Sequence, residues 1–297
     1  MNKPALSPVL ATVCLAAMTT TMTIGSAAAV DTDLQSGPSD FKVGVELANK
    51  HYDQGVIRSD DVTAIGRFDA RVWDIGFHAD LYMAINSDSD TAGMTGWQPQ
   101  AISAFETTQI NLGVDYLFEM QDIFQIIPHY NFTTYPNWNE RAYKSDQHWI
   151  GLDAWYLLPI QGIEVGANID YNPFYNSRKN ENIGSGGTHG HDLRSALAAR
   201  QFIQNAPLDV AFYQVLNFAN GTHKSNFYGM EDECGVTTFD LGLRYVTPFY
   251  LNEFWLIARL EGHFWLENDD RETLRNAGQS TAEVIMAVGF EWKPESK

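Results

Sequence analysis

The stretch Ile110-Asn111-Leu112-Gly113-Val114-Asp115-Tyr116-Leu117-Phe118 decides how the rest of the chain is read. Ile110, Leu112, Val114, Tyr116 and Phe118 alternate with Asn111, Gly113, Asp115 and Leu117. Successive side chains of an extended strand point to opposite faces, so this segment folds with one apolar face and one mostly polar face. The pattern recurs in Ile75, Phe77, Ala79, Leu81, Met83 and Ile85, interleaved with Gly76, His78, Asp80 and Tyr82. It recurs in Ile150, Leu152, Ala154, Tyr156 and Leu158 against Trp149, Gly151, Asp153 and Trp155, and near the end in Ala282, Val284, Met286, Val288 and Phe290.

Twelve such runs cover 41–52, 62–72, 75–86, 104–118, 123–135, 147–158, 163–174, 193–203, 208–219, 236–246, 253–266 and 280–292. Their connections alternate. Trp73-Asp74, Glu119 to Asp122, Pro159 to Gly162, Gln204 to Pro207 and Thr247 to Asn252 are short, whereas the other six are longer and rich in Asn, Ser, Gly and Asp. Amphipathic strands joined by tight turns at one end and long loops at the other are what a closed transmembrane β-barrel requires, because closure satisfies every backbone group without leaving an edge in lipid. We therefore expect an all-β fold: a single antiparallel transmembrane barrel of about 12 strands with short periplasmic turns and long extracellular loops. An even strand count puts both chain ends beside the short turns. A soluble β-sandwich also alternates, but it explains neither the short-long rhythm nor the aromatics near strand ends, such as Tyr116, Phe118, Tyr156, Phe290 and Trp292. Two segments strain the pattern. Pro128 predicts a bulge or a shortened fifth strand, and Leu193 to Ile203, with Arg194, Arg200 and several Ala, also suits a helical turn.

Composition agrees with this class. The 297 residues are 44% hydrophobic, 13% aromatic and 19% charged, with 19 bases against 37 acids and a net charge of -18. That acidity opposes a phosphate backbone, so no nucleic-acid partner is expected. Residues 1–29 read as a secretory signal peptide: Lys3 is the positive start, Val9 to Met18 the apolar stretch, and Ala27-Ala28-Ala29 the small-residue cleavage site. Cleavage would remove Cys14 and leave Cys234 without an internal disulfide partner. A polar lead-in (30–40), the barrel (41–292) and a short tail (293–297) complete the expected organisation.

With the signal peptide, the twelve runs and the aromatic ending Val288-Gly289-Phe290-Glu291-Trp292, the chain resembles Gram-negative outer-membrane β-barrel proteins of porin-like type. The resemblance implies an outer-membrane location, contact with outer-membrane lipid and the barrel assembly machinery, and passage of small hydrophilic solutes. Lys293 to Lys297 depart from the terminal aromatic that such proteins usually carry. Phe41 to Asn86 and His129 to Trp138 are faintly similar to exported barrels of the Gcw_chp type, which implies no known activity.

If the apolar face meets lipid, the alternate residues line the interior. Inward bases are then Lys42, Lys50, Arg67, Arg71, Arg194, Arg200, Arg244 and Arg259. Inward acids are Glu46, Asp69, Asp80, Glu106, Asp115, Asp153, Glu164, Asp170, Asp209, Asp240, Glu261, Glu283 and Glu291, which leaves the lumen near -5. We single out Arg67, Asp69, Arg71, Asp80, Asp115, Asp153, Asp170, Arg244, Arg259 and Glu261 as pore-lining. Such a lumen suits a mildly cation-preferring channel; the bland alternative is a set of internal ion pairs, such as Arg259 with Glu261, that close the interior. Trp149, Trp155, Trp255 and Trp265 also fall inward, either as a slide for sugars or, as we expect, to fill space.

No enzyme is expected. The single His-x-Ser, His223-Lys224-Ser225, lies in a loop without an evident third member, and no Gly-x-Ser-x-Gly occurs. Asp60-Asp61 and Asp269-Asp270 read as solvated loop acids, and neither His189-Gly190-His191-Asp192 nor Glu231-Asp232-Glu233 has the spacing that fixes a metal, so no metal or cofactor is assigned. The alternatives to a channel are a plugged structural or adhesin-like barrel acting through its loops, and, less so, an outer-membrane lipid hydrolase.

Overall fold

The computed structural model describes residues 37–53, 56–85, 104–121, 123–134, 136, 147–158, 162–173, 192–205, 208–224, 230, 233–250, 253–276 and 280–294. The strands are β1 (Gly37–Ala48), β2 (His51–Asp53), β3 (Val56–Ser59), β4 (Thr63–Trp73), β5 (Ile75–Ala84), β6 (Thr107–Tyr116), β7 (Phe118–Met120) and β8 (Phe124–Thr134). They continue with β9 (Gln147–Leu157), β10 (Ile163–Asn172), β11 (Asp192–Asn205), β12 (Leu208–Ala219), β13 (Gly235–Tyr250), β14 (Phe254–Trp265) and β15 (Ala282–Trp292). Two short helices, α1 (Gly221–His223) and α2 (Asn268–Asn276), stand in the last two long connections.

Apart from the small β2–β3 hairpin, each strand pairs antiparallel with its neighbour in sequence, and β1 pairs with β15. β6 and β7 lie on one line and share β8 as partner, so the sheet is a closed barrel of twelve staves. Counted along the chain, few residues separate β4 from β5, β7 from β8, β9 from β10, β11 from β12 and β13 from β14 at one end of the barrel, and more separate the staves joined at the other end. The alternation in the sequence becomes an inside and an outside. Along β1, Val45 is 56% exposed and the next residue, Glu46, 4%. Along β15, Val284, Met286, Val288 and Phe290 all face out. An outer surface so apolar is stable only against lipid, which makes the barrel's exterior its membrane-facing side.

The structure decides one open alternative and corrects other expectations. Residues 192–205 form no helical turn; β11 pairs with β12 in unbroken register from Arg194↔Ala219 to Asn205↔Leu208. Pro128 neither bulges nor shortens β8, which runs on in register with β9 through Pro128↔Leu152. On its other side the register puts Pro128 opposite Tyr116, where the ladder lacks a donor and β6 gives way to β7. Leu117, at that break, turns its N–H to the Asp74 carbonyl at 2.8 Å instead. β1 begins at Gly37, inside the expected lead-in, and stops at Ala48, so His51 and Tyr52 leave the first run and build a hairpin of their own. β13 runs on through Pro248 to Tyr250, past the expected turn at Thr247, with a register shift absorbing the proline. The signal peptide with Cys14, the segment 30–36 of the lead-in, Trp138, residues 177–191 with His189 and His191, Ser225, Glu231, Asp232 and residues 295–297 lie outside the described residues.

Candidate functional site

Inside the barrel the polar face of each strand meets those of its neighbours, and Arg67, Asp69, Arg71, Asp80, Asp115, Asp153, Asp170, Arg244, Arg259 and Glu261 all lie on the inward side, buried or half-buried. Most are joined in three clusters. The first lies toward the tight turns: Arg71 of β4 donates to Asp115 of β6 at 2.8 Å and to the Asp74 carbonyl at 3.0 Å. Lys42 of β1 stands 3.8 Å from Asp69 and 3.9 Å from Glu291, and Glu291 in turn faces Arg244 at 3.5 Å. The second lies midway on β1, β4, β12 and β14. There Glu46 holds Arg67 at 3.3 Å and Arg259 at 3.1 Å, Arg259 donates to Glu261 at 2.8 Å, and the Tyr213 hydroxyl also donates to Glu261. The third covers β8 to β11: Arg194 pairs with Asp170 at 3.1 Å, Asn168 donates to Asp153 at 2.5 Å, and Arg200 pairs with Glu164.

Three histidines join these clusters, and the charge tally read from the sequence missed them. His78 bridges Asp69 and Asp115, His129 bridges Asp153 and Asp170, and His263 bridges Asp240 and Glu261. The signal was present in the alternation, since His78 stands with Gly76 and Asp80 on the polar face and His263 two residues after Glu261.

Inward glycines give these side chains their room. A Cβ on Gly151 would occupy the space taken by Asp170 and His129, one on Gly76 that of Asp115 and Arg71, and one on Gly242 that of the Tyr213 ring. Trp149 and Trp155 do not offer bare faces to a solute. The Arg194 guanidinium lies 3.8 Å over the Trp149 ring and that of Arg200 3.8 Å over Trp155, while Trp155 packs with Leu117, Ile127, Ala196, Ala198 and Val215. Cation–π stacking and close packing fill this side of the interior.

At the end with the long connections, the β2–β3 hairpin folds into the mouth. His51, Tyr52, Asp53 and Ser59 are all buried. The His51 ring stacks on Tyr82 of β5 with centroids 4.3 Å apart, and Tyr52 stacks on His263 of β14 at 3.8 Å, above Ala48, Ile65, Ile285 and Ala287. The hairpin thus bridges walls that are not neighbours. Beside it, α1 turns inward: Asn220 caps it by accepting from the His223 N–H at 2.9 Å, and the His223 ring meets Trp149 edge-on at 5.6 Å. Burial and the nearby Arg194 charge hold His223 down to about 3, so the ring is neutral at ordinary pH. Lys224 reaches to the other loop, donating to Glu267 at 2.6 Å and pairing with Asp270 of α2 at 2.7 Å. Burial opposes its charge, but hydrogen bonds to the two carboxylates outweigh that and its pKa is raised. Burial, with Glu267 sharing the same ammonium, pushes Asp270 up to about 6. Asp270 is therefore not the solvated loop acid expected of Asp269-Asp270; it is a buried clamp partner.

No family model matches the chain and no curated protein matches it, so the faint similarity of 41–86 and 129–138 to Gcw_chp-type barrels gains no support. Solved structures do resemble it. The NanC porin aligns with 85% of this chain and 100% of its own length, at 9% identity and a TM-score of 0.51. An outer membrane channel from Pseudomonas putida F1 aligns over 88% of this chain and 97% of its own at 12% identity and a TM-score of 0.49. The translocator domain of the autotransporter NalP from Neisseria meningitidis aligns over 95% and 97% at 11% identity and a TM-score of 0.45. At such low identity the likeness to the porin speaks for architecture alone, that of a β-barrel.

Proposed function

We propose that this chain is an outer-membrane channel for passive diffusion of small hydrophilic solutes, mildly preferring cations and needing no cofactor. One observation carries the reading: most of the acidic and basic side chains described on the staves converge on the interior of a barrel whose exterior is apolar. A wholly structural barrel would be stabilised as well by an apolar filling, because a buried ion pair contributes little net stability over a hydrophobic pair of the same volume. Charges kept in place suit a water-lined path in which carboxylates outnumber bases and favour cations. Export through a cleaved signal peptide, with short turns on the periplasmic side and long loops outside, completes the proposal. The test is single-channel conductance of the refolded protein in a planar bilayer under a salt gradient. Discrete steps with a cation-selective reversal potential support it; a silent bilayer despite confirmed insertion overturns it.

The hairpin in the mouth favours a second reading, a plugged barrel acting through its external loops. That reading predicts loss of function on deleting residues 220–235 and indifference to substitution at Arg67, Arg71 or Arg259. A lipid hydrolase centred on His223 has less in its favour, since that ring is buried against Trp149 rather than turned toward lipid.

A further inference from the structure

We infer that His78, His129 and His263 carry positive charge in the lumen and set how strongly the channel favours cations. The inference rests on the channel reading above and deepens it. An ionised carboxylate accepts hydrogen bonds and donates none, whereas an imidazole donates from both nitrogens only as imidazolium. His78 is contacted on both: Nδ1 lies 3.1 Å from Asp69 Oδ1, and Nε2 makes a short contact with Asp115 Oδ2. His129 Nε2 lies 2.8 Å from Asp170 Oδ1 and its Nδ1 3.6 Å from Asp153. His263 Nδ1 lies 2.9 Å from Asp240 and its Nε2 3.7 Å from Glu261. His78 is thus hydrogen-bonded through both nitrogens, while His129 and His263 each make one hydrogen bond to a carboxylate and hold a second carboxylate within ion-pair reach of the other nitrogen. A neutral ring would aim a lone pair at a carboxylate oxygen at His78, and at His129 and His263 would leave two carboxylates close together without the ring's charge between them.

The surroundings complete the charge pattern. Around His78 stand Asp69 and Asp115, with Lys42 on the first and Arg71 on the second, and Asp80 farther along its own strand. Around His129 stand Asp153 and Asp170, with Arg194 on Asp170. Around His263 stand Asp240 and Glu261, Arg259 on Glu261, the Tyr213 hydroxyl, Glu283 across the β15 ladder with Lys50 bonded to it, and the stacked Tyr52 ring. Counting these rings as cations brings the inward positions read from the sequence to eleven bases against thirteen acids. The lumen is then near balance, and each imidazole that loses its proton uncovers a pair of carboxylates.

The test is the reversal potential of the refolded barrel under a salt gradient as pH is raised, for the wild-type chain, for His78→Gln, His129→Gln and His263→Gln singly and together, and for His78→Lys. Each lost charge should raise the cation-to-anion permeability ratio about tenfold, since a unit charge about 6 Å away in water favours a cation and disfavours an anion by about threefold each. The triple variant should be more cation-selective at neutral pH, the wild type should approach it as pH rises, and His78→Lys should keep the wild-type ratio. Conducting channels whose ratio is the same in wild type and triple variant at every pH overturn the inference while leaving the channel reading intact. A silent bilayer overturns the channel reading and, with it, the role in selectivity. Where a variant does not refold, as judged by heat-modifiable migration, imidazole nitrogen chemical shifts of the wild-type barrel in detergent decide the charge. Imidazolium shifts for the three rings at neutral pH support it, and neutral-ring shifts refute it.

Discussion

Replacing Glu46 by Gln removes the one carboxylate that two arginines share. Arg67 lies 3.3 Å and Arg259 3.1 Å from it, and its side chain is 5% exposed, with 15% and 13% for the two arginines. At an effective dielectric of about 20, each contact is worth roughly 5 kcal/mol before desolvation. Stripping a partner from such a buried pair costs about 3–5 kcal/mol, since the remaining charge stays buried. The two arginines do not suffer equally. Arg259 keeps Glu261 at 2.8 Å, whereas Arg67 is left with Asp80, its cross-strand neighbour. The expected loss therefore sits at the lower end, about 3 kcal/mol. Arg259→Gln is the control. It leaves Glu46 with Arg67, and Glu261 with Tyr213 and His263, so it should cost less than half as much. Denaturant unfolding of the barrel in lipid vesicles, followed by tryptophan fluorescence, measures both. A Glu46→Gln loss below about 1 kcal/mol, the range of solvated surface pairs, would refute the idea that this cluster is shielded from bulk water. So would equal losses for the two variants.

Tyr52→Ala removes the ring stacked on His263 and should raise single-channel conductance while costing about 1 kcal/mol of stability; unchanged conductance would show that the hairpin does not narrow the path. Asp270, pushed up to about 6, sits above the ordinary carboxylate value, so the folded loops bind its proton first and gain stability as pH falls from 6 toward 4. Asp270→Asn should flatten this slope in melts between pH 7 and 4.5, and an identical slope in both proteins contradicts it. Gly151→Ala places a methyl where His129 and Asp170 meet and should destabilise by about 1–3 kcal/mol; a neutral outcome would mean that the third cluster yields readily.

The staves were legible in the sequence because a strand with lipid on one side and polar groups on the other has no choice but to alternate. The same parity placed Arg67, Asp115, Asp170 and Glu261 inward. It could not say which of them would meet, because pairing across staves depends on register, and register is a long-range property. Arg71 finds Asp115 across β5. Histidine was passed over because its charge depends on its neighbours, and those neighbours come from other strands. The mouth was misread for a different reason. Asp270 and Lys224 belong to loops with no periodicity, and only their meeting, from segments 43 positions apart in hydrogen-bond terms for Lys224 and Glu267, turns loop charges into a clamp. The α2 start at Asn268-Asp269-Asp270 does carry a helix-opening signal, acids in the first turn, that reads equally well as a solvated loop.

Where β1 meets β15, the two ends of the chain zip together, and the last teeth are side-chain ones. The ladder runs from Val43↔Trp292 to Ala48↔Ala287. Asn49 then extends it: its N–H donates to the Met286 carbonyl at 2.9 Å, its side-chain oxygen accepts from the Met286 N–H at 2.8 Å, and its amide nitrogen donates to the Val284 carbonyl at 3.3 Å. These contacts join residues more than 230 positions apart, so they carry the largest loop-closure cost in the barrel and form late in assembly. Until they form, the molecule is a curled sheet with two open edges, each able to capture a foreign strand. Two residues beyond Asn49, the chain turns inward at His51 to begin the hairpin that crosses the mouth. The latch that seals the wall is therefore also the point from which the hairpin enters the mouth.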